Sequence, residues 1–313
     1  MQETSDRHYE YLNHLAREYH AMVPGDSLFQ RRARVLQSLW RAEQGYEAGT
    51  HRGRPLGSRL PMPWAEESLA NYLTDAIRAV VRHEVTPEAQ GLYGYPRIYD
   101  NLLSSQPLCF NLFAELEQDR TLATAVLRDL MGDRVHEVNA VRFEHSPGRG
   151  DPRYTDDNSA FDVYLEFSGP AHTRGFVGVE VKYHESLQDR EAKHRPRYDV
   201  VVAEIGCFDE HKLAGLQKRP LQQLWRNHLL AGSLQLVDGF DEGISVFLYP
   251  QDNLRCAHAA EDYRGCLARQ GSFAVWTLEA VAAALKRHTA SPWVDVFIDR
   301  YLDFSKLSPA GRV

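Results

Sequence analysis

The sequence predicts an α/β protein: a helical stretch over residues 1–95, then the order helix, strand, strand, strand, helix, strand. Three observations predict it. In the first 85 residues apolar positions recur three and four apart, the period of a helix with one buried face. In Phe161–Phe167 and in Gly175–Tyr183 apolar residues occupy the odd positions, the period of two expected of strands. Between these strands and a short apolar run, Ile244–Tyr249, stands an amphipathic helix, Leu221–Ala231.

Helices are expected over Ser5–Met22 and over Ser27–Gln44, the second entered through Asp26–Ser27 and stopped at Gly45. A Gly-, Pro- and Arg-rich loop, Gly49–Pro63, precedes a helix over Trp64–Val85, and Thr86–Pro87 with the Gly91–Gly94 region punctuates the chain. Ser104–Ser105–Gln106–Pro107 opens a helix over Leu108–Glu117, with serine as cap and proline in the first turn; a further helix covers Leu122–Met131. Strands follow at Glu137–Glu144, Ala160–Phe167 and Gly175–Tyr183, with Ser168–Gly169–Pro170 as the turn between the last two. Beyond a helix at Tyr198–Ile205, Leu221–Ala231 and Ile244–Tyr249, the chain reads as helix (Leu254–Arg269), strand (Phe273–Thr277), helix (Leu278–Arg287) and helix (Trp293–Phe304). The expected division is a helical extension at 1–95 and a second domain at 96–313.

Composition narrows the function. Of 313 residues 43% are apolar and 25% charged, as in an ordinary globular protein. A net charge of −7 argues against a protein that coats nucleic acid through charge alone. The longest apolar runs, such as Ala280–Leu285, are too short to cross a bilayer, and Met1–Gln2–Glu3 does not open a signal peptide. Four cysteines without a C-x-x-C pair fit reduced, buried thiols, so a cytoplasmic protein is expected. No two of the fourteen histidines stand at H-x-x-x-H spacing, and no P-loop, G-x-S-x-G or dinucleotide fingerprint occurs.

Chemistry gathers in the hairpin. Glu180 and Lys182 share one face of their strand, and any register that keeps the apolar faces together, such as 162 opposite 180, brings Asp162 to that face. Two carboxylates so close repel unless a cation lies between them. Carboxylate oxygens suit Mg²⁺ or Mn²⁺, which keep waters and recruit substrate phosphates. Such a site, with a lysine to orient water or neutralise charge developing on phosphate, fits phosphodiester hydrolysis. Taken alone, Val-Glu-Val-Lys is an ordinary half-exposed strand with solvated charges. The aspartate in phase with it, the hairpin and the flanking helices set this occurrence apart.

Asp162 followed by Glu180-Val181-Lys182 resembles the signature of the PD-(D/E)XK nucleases. The order of elements is similar to their restriction-endonuclease-like αβββαβ core, which implies a mixed central sheet flanked by helices, here with a helical N-terminal extension. Leu103-Ser-Ser-Gln-Pro-Leu-Cys-Phe-Asn-Leu-Phe113, Lys182-Tyr-His-Glu-Ser186 and Gln223-Leu-Trp-Arg-Asn-His228 resemble a bacterial restriction-endonuclease family over residues 95–250. Phe161, not proline, precedes the aspartate. The resemblance implies that Asp162 and Glu180 bind the metal, with the Val181 carbonyl as a third ligand, and that Lys182 is the catalytic lysine. It also implies a further carboxylate from the first helix, where Glu115 is the candidate and Glu117 its competitor; either is otherwise a solvated helix charge.

On helix 221–231, Gln222 with Arg226 and Gln223 with Asn227 stand four apart on the polar side. The resemblance places Gln223 and Arg226 at the substrate, and Ser105, Gln106 and Asn111 at the cleft; without it these are a solvated helix face and helix-capping residues. Ser27–Leu60 carries seven arginines against Glu43 and Glu47, a local +5. Arg52, Arg54 and Arg59 lie in the Gly/Pro loop, where guanidinium groups reach a phosphate backbone or pair with acidic neighbours. The expectation is therefore a Mg²⁺-dependent nuclease (Mn²⁺ substituting) acting on double-stranded DNA, with the N-terminal helices and loop flanking the cleft. The resemblance extends this to defence against foreign DNA, with a homo-oligomer or a defence-system protein as partner. An inactive nucleic-acid-binding or scaffold protein of the same fold is the alternative, and hydrolysis of another phosphate ester a third.

Overall fold

The computed structural model describes residues 2–86, 88, 92–188 and 190–309; Pro87 and Gly91, expected to punctuate the chain, lie outside them. In chain order the elements are α1 (Gln2–Glu18), α2 (Leu28–Glu43), β1 (Gly49–His51), β2 (Arg54–Leu56), α3 (Trp64–Ser68), α4 (Asp75–Glu84), α5 (Arg97–Asp100), α6 (Ser105–Gln118) and α7 (Arg120–Met131). There follow β3 (Glu137–His145), β4 (Phe161–Ser168), β5 (Arg174–Val181), α8 (Pro196–Ile205), α9 (Leu213–Leu216) and α10 (Gln222–Asp238). The chain then runs through β6 (Glu242–Tyr249), α11 (Leu254–Arg264), β7 (Phe273–Thr277), α12 (Leu278–His288) and α13 (Trp293–Tyr301). Two compact units result, one of Met1–Leu112 with Ser291–Val313, the other of Phe113–Ala290. The boundary expected at residue 95 falls inside the first unit, which also takes the C-terminal helix. None of the described helices is long and apolar enough to cross a membrane.

In the first unit Ser27 caps α2 as expected, its hydroxyl accepting from Gln30 N while Gln30 Oε1 accepts from Ser27 N. Two expectations change. The loop Gly49–Pro63 contains the β1–β2 hairpin, paired His51 to Arg54, whose turn residues Arg52 and Gly53 both have positive φ (52° and 74°). The helix expected over Trp64–Val85 is two: Leu69 closes α3 in the left-handed conformation and Thr74 caps α4. The break leaves the Asn71 carbonyl free to accept from Asn111 Nδ2 (3.0 Å) and Arg300 Nη1 (2.7 Å). Those side chains replace the partner a continuous helix would supply.

In the second unit five strands form one mixed sheet, ordered β3-β4-β5-β6-β7. β3, β4 and β5 are antiparallel neighbours; β5, β6 and β7 run parallel. The α10 crossover between β5 and β6 gives the parallel pairing that a long helical connection permits. Leu224, Trp225 and Leu229 of α10 pack with Phe247 and Tyr249 of β6, and Leu230 and Leu234 with Tyr164 and Phe176. On the other elements, α7 packs on β3, and α12 on α7 and β7. β5 is buried on both faces from Gly175 onward, so the polar side of the alternation is not a solvated face. Gly178 has a packing reason: a Cβ there would stand 2.4 Å from the Phe161 ring. The helix expected to run to Arg269 stops at Gly265, after which Ala268 N donates to the Cys207 carbonyl.

Candidate active site

β4 and β5 pair in the register Val163 to Val179, which, continued by one residue, sets Asp162 opposite Glu180. Glu180 and Lys182 lie on the α10 side of the sheet, because Glu180 is level with Phe247, a core partner of α10. Lys182 stands just beyond the last β5 residue but keeps its place, its N–H donating to the Leu248 carbonyl. Both side chains are buried, Glu180 at 5% and Lys182 at 6% exposure, while Asp162 is half-buried.

Three of the four oxygens of the two carboxylates accept hydrogen bonds from described residues. Lys182 Nζ lies 2.7 Å from Glu180 Oε1, which also accepts from Gln223 Nε2 at 2.5 Å. Glu180 Oε2 accepts from Asn227 Nδ2. Asp162 Oδ2 accepts from the Val181 N–H at 2.7 Å, and Asp162 Oδ1 has no hydrogen-bond partner among the described residues. Burial raises the Asp162 carboxyl well above the usual carboxylate range, and the charges of Glu180 and Glu144 add to it against the pull of Lys182 and the Val181 N–H. Burial alone would favour neutral Lys182, but Glu180, Asp162 and Glu185 outweigh it and hold its pKa above the ordinary value.

A carboxylate pressed toward its neutral form, with one oxygen still unspent, suits a divalent cation. No three His, Cys, Asp or Glu side chains among the described residues form a metal-holding group. That donor set fits a hard cation bound through one or two carboxylates, with water and substrate phosphate completing its shell.

The other expected site residues are placed as follows. Gln223 touches Glu180. Arg226, one residue short of Asn227, is instead taken by Asp157: Nη2 lies 2.7 Å from Oδ2, and it also donates to Ser159 Oγ. Glu115 is half-buried on α6; the carboxylates pressing most on Asp162 are Glu180 and Glu144. In the first unit Asn111 is fully buried, its amide donating to Asn71 O and Tyr301 Oη and accepting from Leu73 N. Gln106 holds the segment beside it, accepting from Gly94 N and donating to Leu92 O, and Ser105 opens α6 half-buried. Arg59 Nη1 donates to both carboxylate oxygens of Asp100, at 2.6 and 2.8 Å, whereas Arg52 and Arg54 are exposed on the hairpin. Thus Gln106, Asn111, Arg59 and Arg226 spend their polar atoms on internal contacts that brace loops.

Two neighbours of the site escaped sequence reasoning. Asn227 had a legible signal, its spacing of four from Gln223. Glu144 had a fainter one, the change of apolar phase between Val138 and Val141: it marks a register shift between Val138 and Ala140, after which Arg142 pairs with Tyr164 and Glu144 comes level with Asp162.

The helix α6, strands β3–β5, crossover α10 and parallel strand β6 define a restriction-endonuclease-like fold. The sequence model of the PD-(D/E)XK nuclease superfamily matches residues 24–303, and the chain belongs to that superfamily. No curated protein and no solved structure matches it.

Proposed function

We propose that this chain is a Mg²⁺-dependent nuclease that hydrolyses phosphodiester bonds of DNA, with Mn²⁺ able to substitute. The observation that carries this is the meeting of Asp162, Glu180 and Lys182 on one face of the β4–β5 hairpin, with one Asp162 oxygen unspent. Asp162 and Glu180 would hold the cation, the Val181 carbonyl being a further donor. The bound cation supplies an acidified water and charge stabilisation on the phosphate. Lys182, a full ammonium in this setting, neutralises negative charge developing on the phosphate oxygens and orients the attacking water. Gln223 holds Glu180 while it does so, and Glu115 is retained as the carboxylate that α6 offers. Double-stranded DNA as substrate, a cytoplasmic role in defence and a partner subunit complete the proposal on family resemblance.

Plasmid cleavage in Mg²⁺ or Mn²⁺, against an EDTA control, tests the site. Asp162→Ala is expected to lose activity by at least about 100-fold, since removing even an outer partner of a metal ligand costs about 10–100-fold. Undiminished cleavage by Asp162→Ala would reject the assignment. Single strands, RNA and nucleotides assayed in parallel discriminate DNA from other phosphate esters.

Arg52 and Arg54 are proposed to contact the phosphate backbone, for they are the exposed guanidinium groups of the hairpin. The double reversal to Glu is expected to weaken binding of catalytically dead protein to duplex DNA and to lower the slope of log affinity against log salt. An unchanged slope would remove the hairpin from the interface. Arg59 is left out of this test because reversing it would place Glu against Asp100.

A further inference from the structure

Three donors converge on Glu180, and they are not equivalent. Lys182 is long, flexible and charged, and it shares Oε1 with Gln223. Asn227 is short, 5% exposed and neutral, and among the described residues it alone donates to Oε2. Its backbone is fixed on both sides: Trp225 and Leu229 lie in the core, and Arg226 is tied to Asp157. An ionised carboxylate offers about four lone-pair positions, two on each oxygen. Oε1 already receives two donors and Oε2 one, so Oε2 is the Glu180 oxygen with room for a cation.

We infer that Asn227 is the positioning residue of the cation site: it fixes the plane of the Glu180 carboxylate and the direction of the remaining Oε2 lone pair. This rests on the reading of Asp162 and Glu180 as the cation-binding carboxylates. Asn227 suits the task because an amide donates without carrying charge. Lysine or arginine at the same place would oppose the cation, and an apolar residue would leave the carboxylate free to rotate about its last torsion. Its amide also remains on Oε2 if the Lys182 ammonium leaves Oε1 for a phosphate, so Glu180 need not swing when Lys182 moves.

The test is Mn²⁺ binding to the full chain without nucleic acid, followed by titration calorimetry, with thermal unfolding in EDTA as the check on folding. Asn227→Leu keeps the branching and the number of side-chain heavy atoms and lacks the donor. Its Mn²⁺ affinity is expected to fall by about 10–100-fold, the usual cost of losing an outer partner of a metal ligand. Asn227→Thr, which keeps a hydroxyl donor, is expected to lie closer to wild type. Should Asn227→Leu fail to fold, Asn227→Ala replaces it with the same expected loss. In cleavage assays, raising Mn²⁺ is expected to restore kcat in Asn227→Leu, with the KM for DNA unchanged throughout; a purely structural defect would not respond to the cation. Wild-type affinity in folded Asn227→Leu, beside an Asp162→Ala protein that does not bind, overturns the inference alone. A wild type that binds no Mn²⁺, or Asp162→Ala binding as tightly as wild type, overturns the site reading beneath it.

Discussion

Lys182→Met is expected to abolish cleavage and, at the same time, to bind Mn²⁺ more tightly than wild type. The ammonium lies 2.7 Å from Glu180 and is buried with it. A side chain that neutralises developing charge in a water-poor site is worth at least about 100-fold in rate, which sets the expected loss. The gain in affinity has the same origin. In the resting site the ammonium already supplies positive charge to Glu180 and Asp162, and an incoming cation must share them with it. Methionine fills similar volume without charge, so the two carboxylates fall to the cation, with a gain of about tenfold or more, on the order of 1.4 kcal/mol.

Stability without metal moves the other way. Removing one partner of a buried pair costs about 3–5 kcal/mol, because the remaining charge is left uncompensated. Excess Mg²⁺ is therefore expected to raise the Tm of Lys182→Met by more than it raises that of wild type. The pH dependence carries a definite sign. Asp162 already has a folded pKa above its unfolded value, and loss of Lys182 removes one of the influences opposing that shift. A group so shifted favours the folded state while protonated and loses that contribution as pH rises through its folded pKa. The metal-free deficit of Lys182→Met should thus shrink as the pH is lowered toward the carboxylate range. Calorimetric affinities and melts in EDTA at several pH values measure all of this; an affinity equal to wild type would show that Lys182 does not compete with the cation.

What could be read from the chain alone depended on period and phase. The alternation in Phe161–Phe167 and Gly175–Tyr183 is unbroken. Its phase therefore determined which side chains share a face, and the observed register, Val163 to Val179, places Asp162 and Glu180 together. The parallel strand β6 was legible as an apolar run after an amphipathic helix. Glu144 was harder to read, because the register shift near Val138 reverses which residues of β3 face α10, and its trace in the sequence is that Val138 stands out of phase with Val141 and Phe143. Polar residues on helices and loops were the least legible. Asn111 and Arg59 have the composition of ligand-binding residues, yet Asn111 replaces backbone partners where the chain breaks between α3 and α4, and Arg59 holds Asp100. Hydrogen bonds of that kind depend on chain segments far apart in sequence, such as Asn111 with Tyr301, and no local spacing encodes them.

Asp157→Asn is expected to destabilise the second unit by about 3 kcal/mol, within the range for breaking a buried ion pair. Asp157 Oδ2 accepts from Tyr198 Oη at 2.6 Å, Arg226 Nη2 at 2.7 Å and Ser159 Oγ at 2.8 Å; Oδ1 accepts from Ser159 N and Thr155 Oγ1. An amide matches one of those oxygens and presents N–H groups where the other was, so donors face donors and the Arg226 charge is left unpaired. Burial by itself would raise the Asp157 carboxyl, but the Tyr198 hydroxyl, the Arg226 guanidinium and the Ser159 N–H prevail and hold it at about 2. Against an ordinary aspartate value of about 3.9, that depression is worth about 2.6 kcal/mol. The contribution is complete above the unfolded pKa and is lost as pH falls through the folded one. Urea unfolding of wild type and Asp157→Asn should therefore show a gap that is constant from neutral pH down to about 5 and closes in more acid solution. A gap independent of pH would assign the loss to shape rather than charge. The consequence for the site follows from Arg226, which this pair holds one residue before Asn227 on α10, and from Ser159, three residues before Asp162. If the pair locates both ends of the site, Mn²⁺ affinity should fall together with stability in Asp157→Asn.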